Sequence, residues 1–322
     1  MNEFEKVLNT DIVARLDDYG VIKVEGDDAE TFLHAQFTND LQQGVNENSS
    51  QLSAYCSPKG RILALFRIFK ANNAFYLSMP RELVEATHKR LSMFVLMSKV
   101  TLTDESDSIN QLGVSGPNSE QKLMALVGQP PEEMDQVVTK ENTSVIRIPG
   151  PQPRFQIIAP SKEIKSLNNK LGTFVSEVSA DAWQLLDIHA GIAVIKQVNV
   201  EAFVPQMVNL QAINGLSFKK GCYPGQEVVA RMQYLGKLKR RMYLAHSDNE
   251  TIAQPGDSVF VNADEPRKTG VVVIAQPAPD GGCDLLIVVE IESTENQSLQ
   301  LDENMASALT LKPLPYSLET LS

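Results

Sequence analysis

Residues 218–227 read Phe-Lys-Lys-Gly-Cys-Tyr-Pro-Gly-Gln-Glu, a thiol set between two lysines and a glycine–proline turn. A cysteine placed only for packing sits in an apolar run, where it behaves as a small hydrophobe. Cys222 instead has charge before it and turn chemistry after it. The following stretch, PGQEVVARMQY, predicts a helix with Pro224 in its first turn. A helix N-terminus and nearby lysines both favour a thiolate, so Lys219 and Lys220 point to an ionisable, functional Cys222. In the plainer alternative, Gly221 and Gly225 shape a tight turn that Cys222 merely fills.

The charge around this loop is unlike that of the rest of the chain. Between residues 219 and 241 lie Lys219, Lys220, Arg231, Lys237, Lys239, Arg240 and Arg241 against the single acid Glu227, whereas the whole chain carries −11. That balance disfavours broad nucleic-acid binding and leaves one place where an anion would be drawn. With Tyr223, Tyr234 and Tyr243 interleaved, an RNA contact is conceivable; a solvated charged edge is the simpler reading, and no stable nucleic-acid complex is expected.

The 322 residues exceed the size of a single core, so two or three domains are expected. Three dispersed cysteines, Cys56, Cys222 and Cys283, argue for a reducing compartment. The first residues lack a basic flank and an apolar core, and no apolar run approaches a membrane span. A cytoplasmic protein without membrane association is expected.

Working back from the loop, periodicity predicts two rounds of strands and helices. In the first, IVARLDDYGVIKVEG alternates around Asp17-Asp18, DDAETFLHAQFTND is a helix with an Asp cap, and SAYCSPKGRILALFRIFKANNAFYLSMP is a β-rich hairpin turning at Asn-Asn. PRELVEATHKRLSMFVLM is an amphipathic helix and SKVTLTD a short strand. In the second, GPNSEQKLMALVG is a helix, QPPEEMDQVVTKENTS a polar connector, SVIRIPG and RFQIIAP strands, and SKEIKSLNNKLG and SADAWQLLDIHAG helices. Beyond residue 237, KRRMYLAHSD, DSVFVNAD, TGVVVIAQPAPDGGCDLLIVVEIES and ALTLKPLP are short strands at regular spacing, as in a small barrel. The expected division is a region 1–237, made of two α+β units of roughly 1–110 and 111–237 whose interleaving is left open, and a β-barrel over 238–322.

Familiar chemical signatures are missing. Four scattered histidines and no C-x-x-C or H-x-x-x-H predict no metal or cluster site within the chain. No Walker, dinucleotide or nucleophile-elbow motif occurs.

The stretch FVPQMVNLQAINGLSFKKGCYPGQEVVARMQYLGKLKRR, with its K-G-C-Y-x-G-Q-E core at Lys220, Gly221, Cys222, Tyr223, Gly225, Gln226 and Glu227, resembles the signature of the YgfZ family. The likeness continues through LDDYGVIKVEGDDAETFLHAQFTNDL, SPKGRILALFRIF, SKVTL and the closing LPYSLE, covering essentially the whole chain. The resemblance implies an α+β fold like that of the glycine-cleavage aminomethyltransferase (T-protein), with three domains around a channel and a C-terminal barrel. It also implies binding of tetrahydrofolate or a derivative by aromatic side chains, at positions that fall on Trp183 and Tyr19. Without the resemblance, Trp183 reads as a core anchor and Tyr19 as a turn residue. His189 falls where related folate enzymes carry a glutamate that reads the pterin edge; alone it reads as a satisfied helix-end histidine. The basic run 231–241 suits the carboxylates of a folate polyglutamate tail.

The resemblance further implies a folate-dependent accessory protein for iron–sulfur enzymes, including client enzymes such as a tRNA thiotransferase, with tRNA modification affected indirectly. The alternative is a one-carbon (aminomethyl) transferase. That chemistry depends on an aspartate pair whose positions fall on Ala64 and Leu65, neither of which can hold a proton. The sequence therefore leans away from catalysis and assures no catalytic residue.

Overall fold

The computed structural model describes residues 1–249, 251–261, 266–295, 298–301 and 308–318. Glu319 of the closing motif, and Asn262 to Asp264 of the expected strand DSVFVNAD, lie outside the described residues.

Two antiparallel-rich sheets and a barrel make up the architecture. The first sheet runs Gln51–Cys56, Ile62–Ala71, Ala74–Pro80, Tyr19–Glu25 and Thr101–Asp104 in spatial order. Its central hairpin turns at Asn72 and Asn73, both at positive φ (51° and 60°), the conformation that two-residue hairpin turns demand and asparagine tolerates. The second sheet runs Ser176–Val178, Ile12–Arg15, Ile109–Ser115, Arg154–Pro160, Thr143–Arg147 and Val137–Lys140. The chain's first strand thus pairs with Ile109–Ser115 and, in parallel, with Ser176–Val178. IVAR and YGVIKVE belong to different sheets, and the chain crosses between them at residues 16–18.

Three expectations need correction. The connector QPPEEMDQVVTKENTS contains the strand Val137–Lys140, whose short Val-Val run sits among too many polar residues to show alternation. The helix after Pro80 ends at Ser92, and Met93, Phe94, Leu96 and Met97 lie exposed in the following turns, because no neighbouring element covers a continued apolar face. The helix behind Cys222 spans Gln226–Tyr234 with Gly225 as its N-cap, so Pro224 precedes the helix instead of opening it.

The barrel closes in the order Arg240–Ser247, Cys283–Glu290, Arg267–Pro277, Ser258–Val261, Leu299–Gln300 and Ala308–Lys312. Its interior is one apolar cluster around Val259, Leu285 and Ile287. Helices Ser119–Val127 and Ser161–Leu171 cover the outer face of the second sheet through Leu123, Ile164 and Leu167. A larger cluster joins the first sheet to barrel residues Met242, Leu244 and Ile274. A further cluster, with Phe69, Ile146, Ile158 and Trp183, bridges the two sheets. The sheets are also tied by hydrogen bonds among buried polar side chains. Ser78 Oγ donates to Gln111 Oε1 (2.8 Å), and Gln156 Nε2 donates to Gln111 Oε1 (2.6 Å) and Ser78 Oγ (3.1 Å). Each such group would cost free energy if left unpaired, so the network fixes how the two sheets meet.

Candidate functional site

Between the two sheets lies a cavity of about 60 Å³. Tyr19 reaches it from the start of its strand, where it pairs with Pro80. Leu65 and Arg67, two residues apart and therefore on one face of strand Ile62–Ala71, line it from the first sheet. Gln156 lines it from the second sheet. Trp183 and Asp187 lie four residues apart on helix Ala180–His189, so both present to the same side. The helix starts where the sequence places it: Ser179 accepts the Ala182 amide as N-cap.

Trp183 is a core residue, 2% exposed. The Arg154 guanidinium lies over its ring at 4.0 Å, and Gly113 packs so closely that a Cβ there would fall 2.5 Å from the indole. Both readings of Trp183 therefore meet in one place: it anchors the core and lines the cavity. Tyr19 is half-buried, and burial together with the carboxylates of Asp187 and Asp18 pushes its phenol well above the usual tyrosine range. Burial likewise raises the Asp18 carboxyl, with Asp187 and Asp181 adding to it and Lys196 opposing.

Asp187 is the polar group that sequence reasoning passed over. Its Oδ1 accepts from the fully buried Arg154 at 2.8 Å, while its buried Oδ2 has no partner. Arg67, also on the cavity wall, is anchored by Asp135 and by Ser50 Oγ (3.0 Å). The available signal was polar residues inside otherwise apolar strands, namely Arg67 in LFRIF, Ser78 in YLSMP and Gln156 in RFQII. His189 is not among the lining residues. Its Nε2 meets Asp284 Oδ2 at 2.7 Å, in a cluster where Asp284 Oδ1 also holds His246 Nδ1 and Lys312 Nζ at 2.7 Å each. Those partners hold the Asp284 carboxyl well below the usual range despite its burial. His189 thus joins the helix to the barrel. Of the other expected pair, Ala64 is fully buried and Leu65 presents a hydrocarbon wall.

The signature loop is a separate site. Gly225 sits at φ +82°, and a Cβ there would come within 2.5 Å of the Ser57 carbonyl oxygen and 2.6 Å of Gly60. The loop therefore docks onto the Ser57–Gly60 turn of SPKGRILALFRIF, backbone against backbone, which only glycine permits. From that turn the strand runs on to Leu65 and the cavity, roughly 15–20 Å further. Cys222 and Gly221 are exposed, whereas Cys56 and Cys283 are buried. Burial pushes the Cys56 thiol up to about 12 and raises that of Cys283.

Lys220 lies close enough to Cys222 for their charges to interact, but its hydrogen bonds go elsewhere. Its ammonium is buried and donates to the carbonyls of His34 and Phe37, the latter at 2.6 Å, closing the C-terminal end of helix Ala29–Gln36. Burial lowers it to about 8. Tyr223 is buried beneath that ammonium, with Nζ 5.2 Å from its ring centre. Gln226 and the exposed Glu227 open the helix. Within the basic run, Arg240 pairs with Glu290 at 3.3 Å, and of the three interleaved tyrosines only Tyr234 is largely exposed. No cluster of potential metal ligands and no helix long and apolar enough to cross a membrane occurs among the described residues.

Comparison with known proteins places this geometry. Residues 1–149 match the family model described as the GCVT N-terminal domain. The whole chain superimposes on the glycine cleavage system aminomethyltransferase T of Bartonella henselae with a TM-score of 0.77, covering 97% of this chain and 88% of that one at 17% identity, which shows the shared fold. The "tRNA-modifying protein YgfZ" of Colwellia psychrerythraea is 32% identical over 304 residues, 94% of this chain and 92% of that protein. The protein of the same name from Escherichia coli strain SE11 is 32% identical over 305 residues, covering 94% and 93%. Similar throughout nearly the full length of these relatives, the chain belongs to the YgfZ family.

Proposed function

We propose that this protein binds a reduced folate between its two sheets and acts as an accessory factor for iron–sulfur enzymes, through which it supports tRNA modification. The observation that carries the reading is that Tyr19 and Trp183, 164 positions apart in the sequence, line one cavity. Around them stand a buried carboxylate oxygen without a partner on Asp187 and the guanidinium of Arg67. A pterin offers a flat face for the aromatic side chains and N–H groups for the carboxylate, so the donor set suits it. At about 60 Å³ the cavity is smaller than the few hundred Å³ of an ordinary ligand site, so entry requires side chains on its wall to move.

The accessory role rests on two features. Leu65 stands in the cavity where a transferase would place a carboxylate, and an exposed thiol, Cys222, sits in a loop whose backbone is fixed by Gly225 and Lys220. The names of the relatives favour tRNA modification as the process supported. Deletion-strain complementation with Cys222→Ser, read as cluster-dependent tRNA thiolation, tests the thiol's part; full complementation contradicts it. Turnover of methylene- or methyl-folate by the purified protein in the presence of a defined acceptor contradicts the non-catalytic reading.

A further inference from the structure

A second cavity, of about 290 Å³, lies away from the folate cavity, with walls from helix Val84–Ser92, strands Gln51–Cys56 and Ile62–Ala71, and residues 197–200. None of its lining residues is shared with the cavity between the sheets. Its walls are largely hydrocarbon, with Leu63, Leu83, Met93 and Val200, over the ring of Tyr55. Two cations from consecutive helix positions, Lys89 and Arg90, stand on the same wall. Neither forms an ion pair with a carboxylate among the described residues. The Arg90 guanidinium lies 6.0 Å from the Tyr55 ring centre and interacts with the Tyr55 hydroxyl, while its Nε is buried without a hydrogen-bond partner.

A buried guanidinium N–H with nothing to bind costs free energy, and a protein of net charge −11 has carboxylates in abundance to pair with it. We propose that this cavity is a binding site for a small carboxylate with an aromatic or short aliphatic body. The acid group pairs with Arg90 and Lys89, and the body lies among the side chains over Tyr55. A guanidinium suits this task because its planar donors match a carboxylate's two oxygens. The volume is near the lower end of small-molecule sites, which limits the body to about one ring and a short chain. The site is independent of the folate reading, and its test neither uses nor requires folate.

The test is a titration with 4-phenylbutyrate and its neutral isostere 4-phenylbutyramide, followed by methyl-resolved NMR on the full chain at low ionic strength. The shifts are expected at Leu63, Leu83, Thr87 and Val200, with the acid binding at least about tenfold more tightly than the amide, a preference that shrinks as salt is added. Arg90→Gln should bring the acid to the level of the amide. Lys89→Gln, on an exposed side chain, should give a smaller loss in the same direction. Ala86→Trp fills the cavity from the exposed side of the helix and should abolish binding of both probes with the melting temperature unchanged. Equal binding of acid and amide, retained affinity in Ala86→Trp, or shifts elsewhere on the protein would overturn the proposal. So would the absence of shifts at millimolar probe.

Discussion

The cavity between the sheets and the loop around Cys222 are built in opposite ways. The cavity draws its walls from distant parts of the chain, Tyr19, Arg67, Gln156 and Asp187 among them, and Arg67, Gln156 and Asp187 are each held there by hydrogen bonds to other side chains. The loop is continuous in sequence, and its key group, Cys222, is exposed on a backbone fixed by Gly225 and Lys220. A buried site of the first kind fails when its scaffold fails. In the loop, scaffold and chemistry separate, so a change to the thiol should leave the fold alone.

The largest expected effect is at Arg154. Arg154→Met leaves the Asp187 carboxylate buried without its partner and should cost roughly 3–5 kcal/mol of folding stability by chemical denaturation. Asp187→Asn keeps an oxygen for Arg154 but leaves the fully buried guanidinium without its counter-charge, so it should also destabilise the fold by several kcal/mol, roughly 3–5. If neither variant loses more than about 1 kcal/mol, the ion pair is not what holds this wall.

Lys220 supplies a pH test of the loop's scaffold. Its folded pKa is lowered from 10.5 to about 8, so below pH 8 the fold bears the full cost of burying the charge. As pH rises from about 8 towards 10.5 the folded state releases its proton first, and stability should rise by up to about 3 kcal/mol. Lys220→Met should flatten that rise. A rise of equal size in the variant would assign it to other groups.

Gly225→Ala should cost roughly 1–3 kcal/mol from its left-handed backbone alone, with more from the contact to Ser57. Hydrogen exchange should show the loss concentrated in residues 221–230 and the Ser57–Gly60 turn. Uniform loss across both sheets would mean that the loop and the cavity are not separable.

The contrast also explains what the sequence disclosed. The loop was legible because its lysines, glycines and cysteine are neighbours in the chain. The barrel was legible because alternating strands between Gly, Pro and Asp turns leave a local trace. Which strand joins which sheet was not, since nothing near IVAR says that Ile12 will pair with Ser115 and Ser176. Asp187 was overlooked for the same reason: its significance depends on Arg154, 33 positions earlier. The short strand Val137–Lys140 lacks a periodic signal of its own. The hydrogen-bond partners of His189 and Lys220 were not legible, because Asp284 and the end of helix Ala29–Gln36 are brought to them only by tertiary packing.

The smallest effect on the fold is expected at the exposed thiol. Cys222→Ser should alter stability by no more than about 0.5 kcal/mol, as for an exposed side chain. In the native protein, Cys222 should alkylate faster than Cys56 or Cys283, measured by mass spectrometry. Equal rates for all three would deny the loop its special exposure.

The central claim is tested most directly by calorimetric titration of tetrahydrofolate into the native protein, Tyr19→Ala and Asp187→Asn, each checked for folding. The expected result is one site per chain in the native protein and an affinity loss of roughly 1–3 kcal/mol in each variant, the scale of one stacking contact or one buried hydrogen-bond group. Tyr19→Trp should bind at least as tightly as the native protein. No binding to the native protein, or the same affinity in all four proteins, would contradict a folate site between the two sheets.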